Sequence, residues 1–545
     1  MIPGIPDPSR EARALAAALA AMSTVKPHEV ATVEYRSRGC VLVIGDASHA
    51  RAVIPRLPES LRKVAFVTGQ TSSDSAPAGV TWVAGQIAEL NGWLGHFTAR
   101  SHGADGQLLD CGPFSRNSDG FFDLVIDLGP QPLIAREVPP LGYFAPGTDA
   151  VALSRALTEL PRFIGTYRKP RFFDYDDRIC AHGARNVAGC TRCLEACPTG
   201  AIAARGDRVE IDPYLCQGCG GCTTVCPTGA VSYTFPTSSE LLGRLRIALG
   251  AYRGAGGISP VVMVHDPAGA GTANANHDLP CLPIEVPGLG AFGPDAWLGA
   301  LAYGAHQVLI VTTAGTDSKT AAVINQELEA YHVILSAIGE DPRRLTHTQC
   351  ADARQFPETA SLNDLALRPR AWLPAAFEPA DDKRTSILAF LDHLNAQAGR
   401  SAEVLTLPHG TPFGALQADP DTCTVCHACV NLCPTDALAA GSGAILELLF
   451  TEQRCVQCGI CATGCPEGAL RLVPRIMFNR EQRGAAQLLA QSEMFRCSEC
   501  GEPFISRAVL ERSIQHVRNH PMFADSGADL LRLCMPCRQK RLLTS

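Results

Sequence analysis

The sequence predicts a mixed fold, α/β plus α+β, spread over several domains. Three observations carry this reading. Apolar strand candidates alternate with helical stretches in two long segments, 38–130 and 256–350. Twenty of the 24 cysteines fall into tight groups in a long chain, the pattern of metal ligation and not of a small secreted disulfide scaffold. Those groups form two pairs, 180–226 and 423–465, followed by two further C-x2-C motifs after 490.

In chain order, residues 1–37 read as an N-terminal helical segment. Its apolar stretch 14–22 lacks a compact basic start and a twin-Arg motif, and Glu11 sits just before it, so it reads as a helix and not a signal peptide. Residues 38–170 form the first α/β domain. Strands are expected at 40–45 (CVLVIG), 64–68 (VAFVT) and 124–128 (LVIDL), with a crossover helix at 50–61. The first strand ends at Gly45 and Asp46 without a full Gly-rich fingerprint. A packing domain is therefore expected, with nucleotide binding as its alternative.

Residues 171–240 carry the first cysteine pair and 250–350 a second α/β domain. In the latter, 260–265 and 307–312 read as strands, 294–303 and 318–338 as helices. The stretch 288–293 (GLGAFG) matches G-x-G-x-x-G. However, Pro283 and Pro287 interrupt the strand before it and no acidic residue follows at the ribose offset, so it is read as a turn. Residues 351–415 read as a helical linker, 416–480 as the second cysteine pair and 490–545 as a small C-terminal domain.

Three cysteine runs follow one rule. Cys216, Cys219, Cys222 and Cys226 form C-x2-C-x2-C-x3-C followed by Pro. Cys423, Cys426, Cys429 and Cys433 repeat it, as do Cys455, Cys458, Cys461 and Cys465. This is the bacterial 4Fe–4S ligand run. The fourth run is altered: Cys190, Cys193 and Cys197 match, but position 187 is Val, and Cys180 is expected to replace the missing ligand across an inserted loop. The alternative is that Cys180 is a spare thiol and the site holds a three-iron cluster. Each run ends in a similar tail, CPTGAI, CPTGAV, CPTDAL or CPEGAL, and a hairpin is expected around Gly206 and Asp207.

The paired runs resemble the two-cluster bacterial ferredoxin fold, present twice, over about 172–235 and 416–475. The resemblance implies four 4Fe–4S clusters with crossed ligands. The implied sets are Cys180, Cys190, Cys193 and Cys226; Cys216, Cys219, Cys222 and Cys197; Cys423, Cys426, Cys429 and Cys465; and Cys455, Cys458, Cys461 and Cys433. Zinc competes for an isolated C-x2-C pair but does not explain four-cysteine runs ending in Cys-Pro.

Cys497, Cys500, Cys534 and Cys537 form two knuckles of a zinc-ribbon-like segment, for which structural zinc is expected over rubredoxin-type iron. His516 and His520 lie between them and read as surface residues of a 506–519 helix.

The central stretch LPCLPIEVPGLG, then a helix, then GAHQVLIVTT, resembles the delta subunit of methyl-viologen-reducing hydrogenases. That family implies an electron-accepting domain able to carry a 2Fe–2S cluster. Here only Cys281 and Cys350 are present, so the fold is expected without the cluster and Cys281 as a buried structural thiol. The chain as a whole resembles the large iron–sulfur proteins encoded beside proteobacterial formate dehydrogenases. The features are its N-terminal α/β domain, the interrupted 180–190 motif, the approach at 407–414 (LPHGTPFG) and the C-terminal knuckles. The resemblance implies a redox protein partner, with formate dehydrogenase the candidate, and either electron delivery or a role in maturing that enzyme.

The expected activity is electron transfer without catalysis of its own; a flavin or nucleotide site in an α/β domain is a further alternative. No Ser-His-Asp, H-E-x-x-H or P-loop pattern appears. The formal charge of −7 counts ligand cysteines as neutral; four oxidised clusters would add about −8. No basic tract points to nucleic acid, no run of 18 apolar residues points to a membrane span, and cysteine usage places the chain in the cytoplasm.

Overall fold

The computed structural model describes residues 8–25, 28–69, 76–103, 106–273, 281–350, 373–398, 403–443, 445–517 and 527–544. The fold is mixed α/β. Near the N-terminus, five parallel strands form one sheet, in the order Val80–Ala84, Arg62–Thr68, Cys40–Asp46, Leu124–Asp127, Tyr143–Phe144. Apolar residues cover both faces, which is why its strands read as continuous hydrophobic runs and not alternating ones. The crossover helix is shorter than expected, Ala47–Val53 followed by a 3-10 turn at Ile54–Arg56. Asp46 caps its start by accepting from the Ser48 and His49 amides. Pro55 and Pro58 end it, since proline cannot donate the helical hydrogen bond.

The central sheet is also parallel, in the order Cys281–Glu285, Val261–His265, Gln307–Thr313, Leu345–Cys350. Pro283 does not interrupt its strand. That strand lies at the sheet edge, where a missing amide costs no ladder bond. Helices Pro294–Ala302, Ser318–Ala337, Ser238–Gly254 and Lys383–Gln397 pack into the same core. Helix Pro8–Met22 lies along Ser238–Gly254, and its buried Glu11 accepts from Tyr252 Oη and from the Ile258 amide at 3.0 Å. Of the expected linker, residues 351–372 and 399–402 lie outside the described residues.

The two cysteine regions are small antiparallel units. In the first, Phe173–Tyr175 pairs with Val231–Tyr233, and Ile202–Arg205 with Arg208–Ile211 around the expected Gly206 turn. In the second, Gly414–Ala418 pairs with Leu470–Met477, and Leu438–Ala440 with Ile445–Phe450. Strand Gln487–Arg496 adds to Ile445–Phe450 and then pairs with Pro503–Ser506, so one sheet runs from the second cysteine unit to the C-terminal knuckles. No helix among the described residues is long and apolar enough to cross a membrane.

Candidate iron–sulfur centres

The three regular runs wrap their loops in the same way. The second residue after the first cysteine is left-handed in each: Gly218 (φ 79°), Val425 (51°) and Gln457 (55°). So is the fourth: Gly220 (82°), His427 (58°) and Gly459 (83°). Alternating hand turns successive backbone N–H groups toward one point, an anion-binding nest. A β-branched residue such as Val425 rarely adopts this conformation, so a specific demand holds it there. The run at Cys190 lacks the pattern: Gly189 is not left-handed and Thr191 has φ −116°.

Three cavities result. Cys216, Cys219 and Cys222 line one together with Cys197 from the other run, walled by Phe172, Ile202 and Tyr233. Cys423, Cys426, Cys429 and Cys465 line another. Cys455, Cys458, Cys461 and Cys433 line a third. In each, three thiols come from one run and the fourth from its partner.

The altered run is brought together by a hairpin. Gly183–Ala184 pairs with Val187–Ala188 across Arg185 (φ 52°) and Asn186 (φ 65°), a two-residue turn of the kind that suits strand twist. The Asn186 amide donates to Asp207 Oδ1 at 2.8 Å, and the Cys190 amide to the Ala181 carbonyl at 2.9 Å. Cys180 thereby packs beside Cys193 and Cys226. Burial pushes the Cys193 thiol up to about 12, with the charges of Cys226, Cys190 and Cys180 adding to it.

Elsewhere too the buried thiols resist ionisation. Burial pushes Cys219, Cys429 and Cys458 up to about 12. For Cys458 the neighbours adding to the effect are Cys455, Cys433 and, from the first unit, Cys190. Four converging thiols in an apolar cavity become stable as thiolates only when bound metal compensates their charge. The donor sets therefore fit cysteine-ligated iron–sulfur groups.

Polar groups are already aimed at the sulfurs. The shared CPT tail places Thr199, Thr228 and Thr435 hydroxyls 3.3, 3.7 and 3.7 Å from the Sγ atoms of Cys197, Cys226 and Cys433. In the fourth tail Glu467 replaces Thr, and the Ala469 amide donates to Cys465 Sγ at 3.4 Å. Gln457 Nε2 donates to Cys455 Sγ at 3.2 Å. The Thr320 hydroxyl, buried in the central domain, lies near the Cys219 thiol without a hydrogen-bond partner among the described residues. Such contacts tune cluster potentials.

Sequence reasoning missed the groups that hold these loops from outside. The Gly288 to Ala291 turn packs directly on the Cys219 loop. The Gly290 amide donates to the Cys219 carbonyl at 2.9 Å, and Thr224 Oγ1 to the Gly290 carbonyl at 2.8 Å. A Cβ at Gly288 or Gly290 would overlap the backbone of Gly218 to Gly221. Close packing, and not a phosphate, explains these glycines. Lys169 donates to the Cys216 carbonyl, Lys319 to Cys197 (3.1 Å) and Lys383 to Thr223, Thr224 and Cys226 (2.5, 2.7 and 3.2 Å). Arg384 donates to Gln453, Pro412 and Cys455 (2.6, 2.8 and 2.6 Å). The chain has only six lysines, at 26, 63, 169, 319, 383 and 540. Three of them serve cysteine loops, and no feature of the sequence around them signals it.

The C-terminal cysteines form a separate group of thiols that could hold a metal ion. The Sγ atoms of Cys497, Cys500, Cys534 and Cys537 all lie within 4.8 Å of one another, and Cys500 and Cys534 are 3.6 Å apart. Tetrahedral zinc thiolates have edges of about 3.8 Å. Backbone N–H groups of Cys500 foremost hold the Cys497 thiol down to about 6. His516 is exposed on helix Arg507–Val517; His520 lies outside the described residues. Cys40, Cys111, Cys281 and Cys350, outside the motifs, are all buried among apolar side chains.

The comparisons agree with this geometry. Residues 188–230 match the 4Fe-4S dicluster domain family, beginning after Cys180, and 416–439 and 449–470 match 4Fe-4S binding domains. The chain belongs to the ferredoxin-type 4Fe–4S proteins. Among its relatives is the ferredoxin-type protein NapF of Escherichia coli K12, 33% identical over 112 residues, which are 19% of this chain and 67% of NapF. Another is the electron transport protein HydN of the same strain, 29% identical over 84 residues, 14% of this chain. The chain spans about half the length of HydN, 46% of it.

Proposed function

We propose that this chain is an electron relay holding four 4Fe–4S clusters and one structural zinc ion. The observation that carries it is the crossed lining of the cavities, three thiols from one run and one from its partner. The ligand sets are those the ferredoxin resemblance implies, with Cys180, Cys190, Cys193 and Cys226 making the first. The clusters supply one-electron redox chemistry. The chain's own residues exclude water, aim amides and hydroxyls at sulfur and fix the loops through lysines that donate to loop carbonyls. The two relatives are named as a ferredoxin-type and an electron transport protein, in keeping with this reading. Cys497, Cys500, Cys534 and Cys537 hold the zinc, and the clustered thiols suit the reducing cytoplasm.

Anaerobic reconstitution followed by metal analysis tests this. About sixteen irons and one zinc per chain are expected, with interacting 4Fe–4S signals in the EPR spectrum of the reduced protein. A spectrum without them sinks the relay.

For the partner, the resemblance to proteins encoded beside formate dehydrogenases makes that enzyme the first to test. In a deletion strain, intact dehydrogenase whose electrons go nowhere supports delivery. Dehydrogenase polypeptide lacking its cofactor supports maturation instead.

A further inference from the structure

The two cysteine units touch at a defined place among the described residues. Gly189, next to Cys190, packs against Ile460 so closely that a Cβ there would overlap its side chain. Gly464 leaves matching room for Val187 and Leu432. The contact is thus made by the hairpin between Cys180 and Cys190 and by the short helix Ile460–Thr463 between Cys458 and Cys465. Cys190 and Cys458 lie near enough for their charges to interact.

A second, independent feature fixes this junction. Helix Lys383–Gln397 starts between the units, capped by Asp382, which accepts from the Thr385 amide at 2.7 Å. Its first residue grips the first unit: Lys383 Nζ donates to carbonyls of Thr223, Thr224 and Cys226. Its second grips the other: Arg384 donates to carbonyls of Pro412, Gln453 and Cys455 and stacks over Phe413 at 5.1 Å. Both cations are half-buried, and partly removing two adjacent cations from water is costly unless their donors find acceptors. A flexible tether between independent units has no use for such an arrangement.

The ends of the arrangement differ. Of the sixteen cysteines in the four runs, Cys426 alone is exposed. The cysteines of the Cys216 cavity are all at least half-buried, Phe172 and Tyr233 line it, and the Gly288 to Ala291 turn packs on its loop.

We propose that the two units form one continuous relay. Its order is the Cys216 cavity, the Cys190 site, the contact of Gly189 with Ile460, the Cys455 cavity and the exposed Cys426 cavity, with Lys383 and Arg384 as positioning residues for the crossing. This rests on the reading that the cavities hold 4Fe–4S clusters. At the crossing one electron leaves the group held by one unit, which is oxidised, and enters the group held by the other, which is reduced. No bond forms or breaks. The inserted hairpin, which looks like damage to a ligand motif, is then the element that joins the two units.

EPR of the dithionite-reduced, reconstituted full chain tests the order. Cys455→Ser with Cys461→Ser removes the cavity placed next to the first unit; Cys423→Ser with Cys429→Ser removes the one placed farthest from it. The first pair is expected to change the line shape and spin relaxation of the first unit's signals, the second pair to leave them unchanged. Lys383→Met with Arg384→Met, which keeps every cysteine, is expected to lose the interaction between units in the chains that keep their iron. First-unit signals indifferent to both cysteine pairs, or an interaction that survives the Lys383 and Arg384 changes, overturn the junction. Iron content is read in every sample: failure of the wild-type chain to bind iron defeats the cluster reading itself, whereas full iron without communication defeats only the junction.

Discussion

At the scale of single residues, the positions with unusual backbone are the informative ones. Val425, His427 and Gln457 adopt left-handed conformations where the first unit uses glycine. A loop wrapped around a compact anion accounts for that strain. Cys180 is the least regular ligand, and its role is testable alone. Cys180→Ser is expected to leave three thiolates at the first site, lower the iron content and give a three-iron EPR signal in the oxidised protein. Unchanged iron and an unchanged oxidised spectrum would show that the thiol is a spare. Nothing in the spacing around Cys190 determines this outcome, because the hairpin that returns Cys180 depends on the Asn186 amide meeting Asp207, 21 residues away.

Among elements, the 288–293 stretch shows how one pattern serves different physics. Its glycines let two backbones approach, with the 3-10 turn Leu289–Ala291 seated on the Cys219 loop. Gly290→Val is expected to push that turn away and open the Cys216 cavity to water. The measurable result is loss of about four irons, one cluster's worth, while the other sites keep theirs. Retention of all iron would mean that the turn is a passive neighbour. Strands 40–46 and 307–313 were legible because they are continuous apolar runs buried on both faces. The first crossover helix is shorter than its apolar pattern: periodicity continues through Pro55, but the hydrogen-bond ladder does not.

Over the whole molecule, buried tyrosines tie the parts together. Tyr252 joins the N-terminal helix to the core through Glu11, Tyr143 donates to Asp127 at 2.7 Å, and Tyr233 donates to the Gly218 carbonyl at 2.6 Å. Burial foremost raises the pKa of each, with the carboxylates beside Tyr252 and Tyr143 adding to it. The unfolded chain releases these protons near about pH 10, while the native protein keeps them. Unfolding therefore releases protons, and stability falls as pH rises above that value. The urea midpoint of the reconstituted protein, followed by far-UV circular dichroism, should be flat from neutrality to about pH 9.5 and drop beyond it. Tyr252→Phe should weaken the drop; a midpoint still flat above the tyrosine range would contradict the assignment.

The sequence alone determined what is local or strictly periodic: the apolar strands, the cysteine runs, their pairing and the knuckles after 490. Four-residue spacings and two-sided burial are written in neighbouring residues, so they survive without coordinates. The tertiary structure decided what depends on distant segments meeting. It set Lys169, Lys319, Lys383 and Arg384 on the cysteine loops, put the glycine turn against Gly220 and brought Gly189 onto Ile460. These contacts join residues tens to hundreds of positions apart, and a lone lysine or glycine carries no local mark of the carbonyl or side chain it will meet.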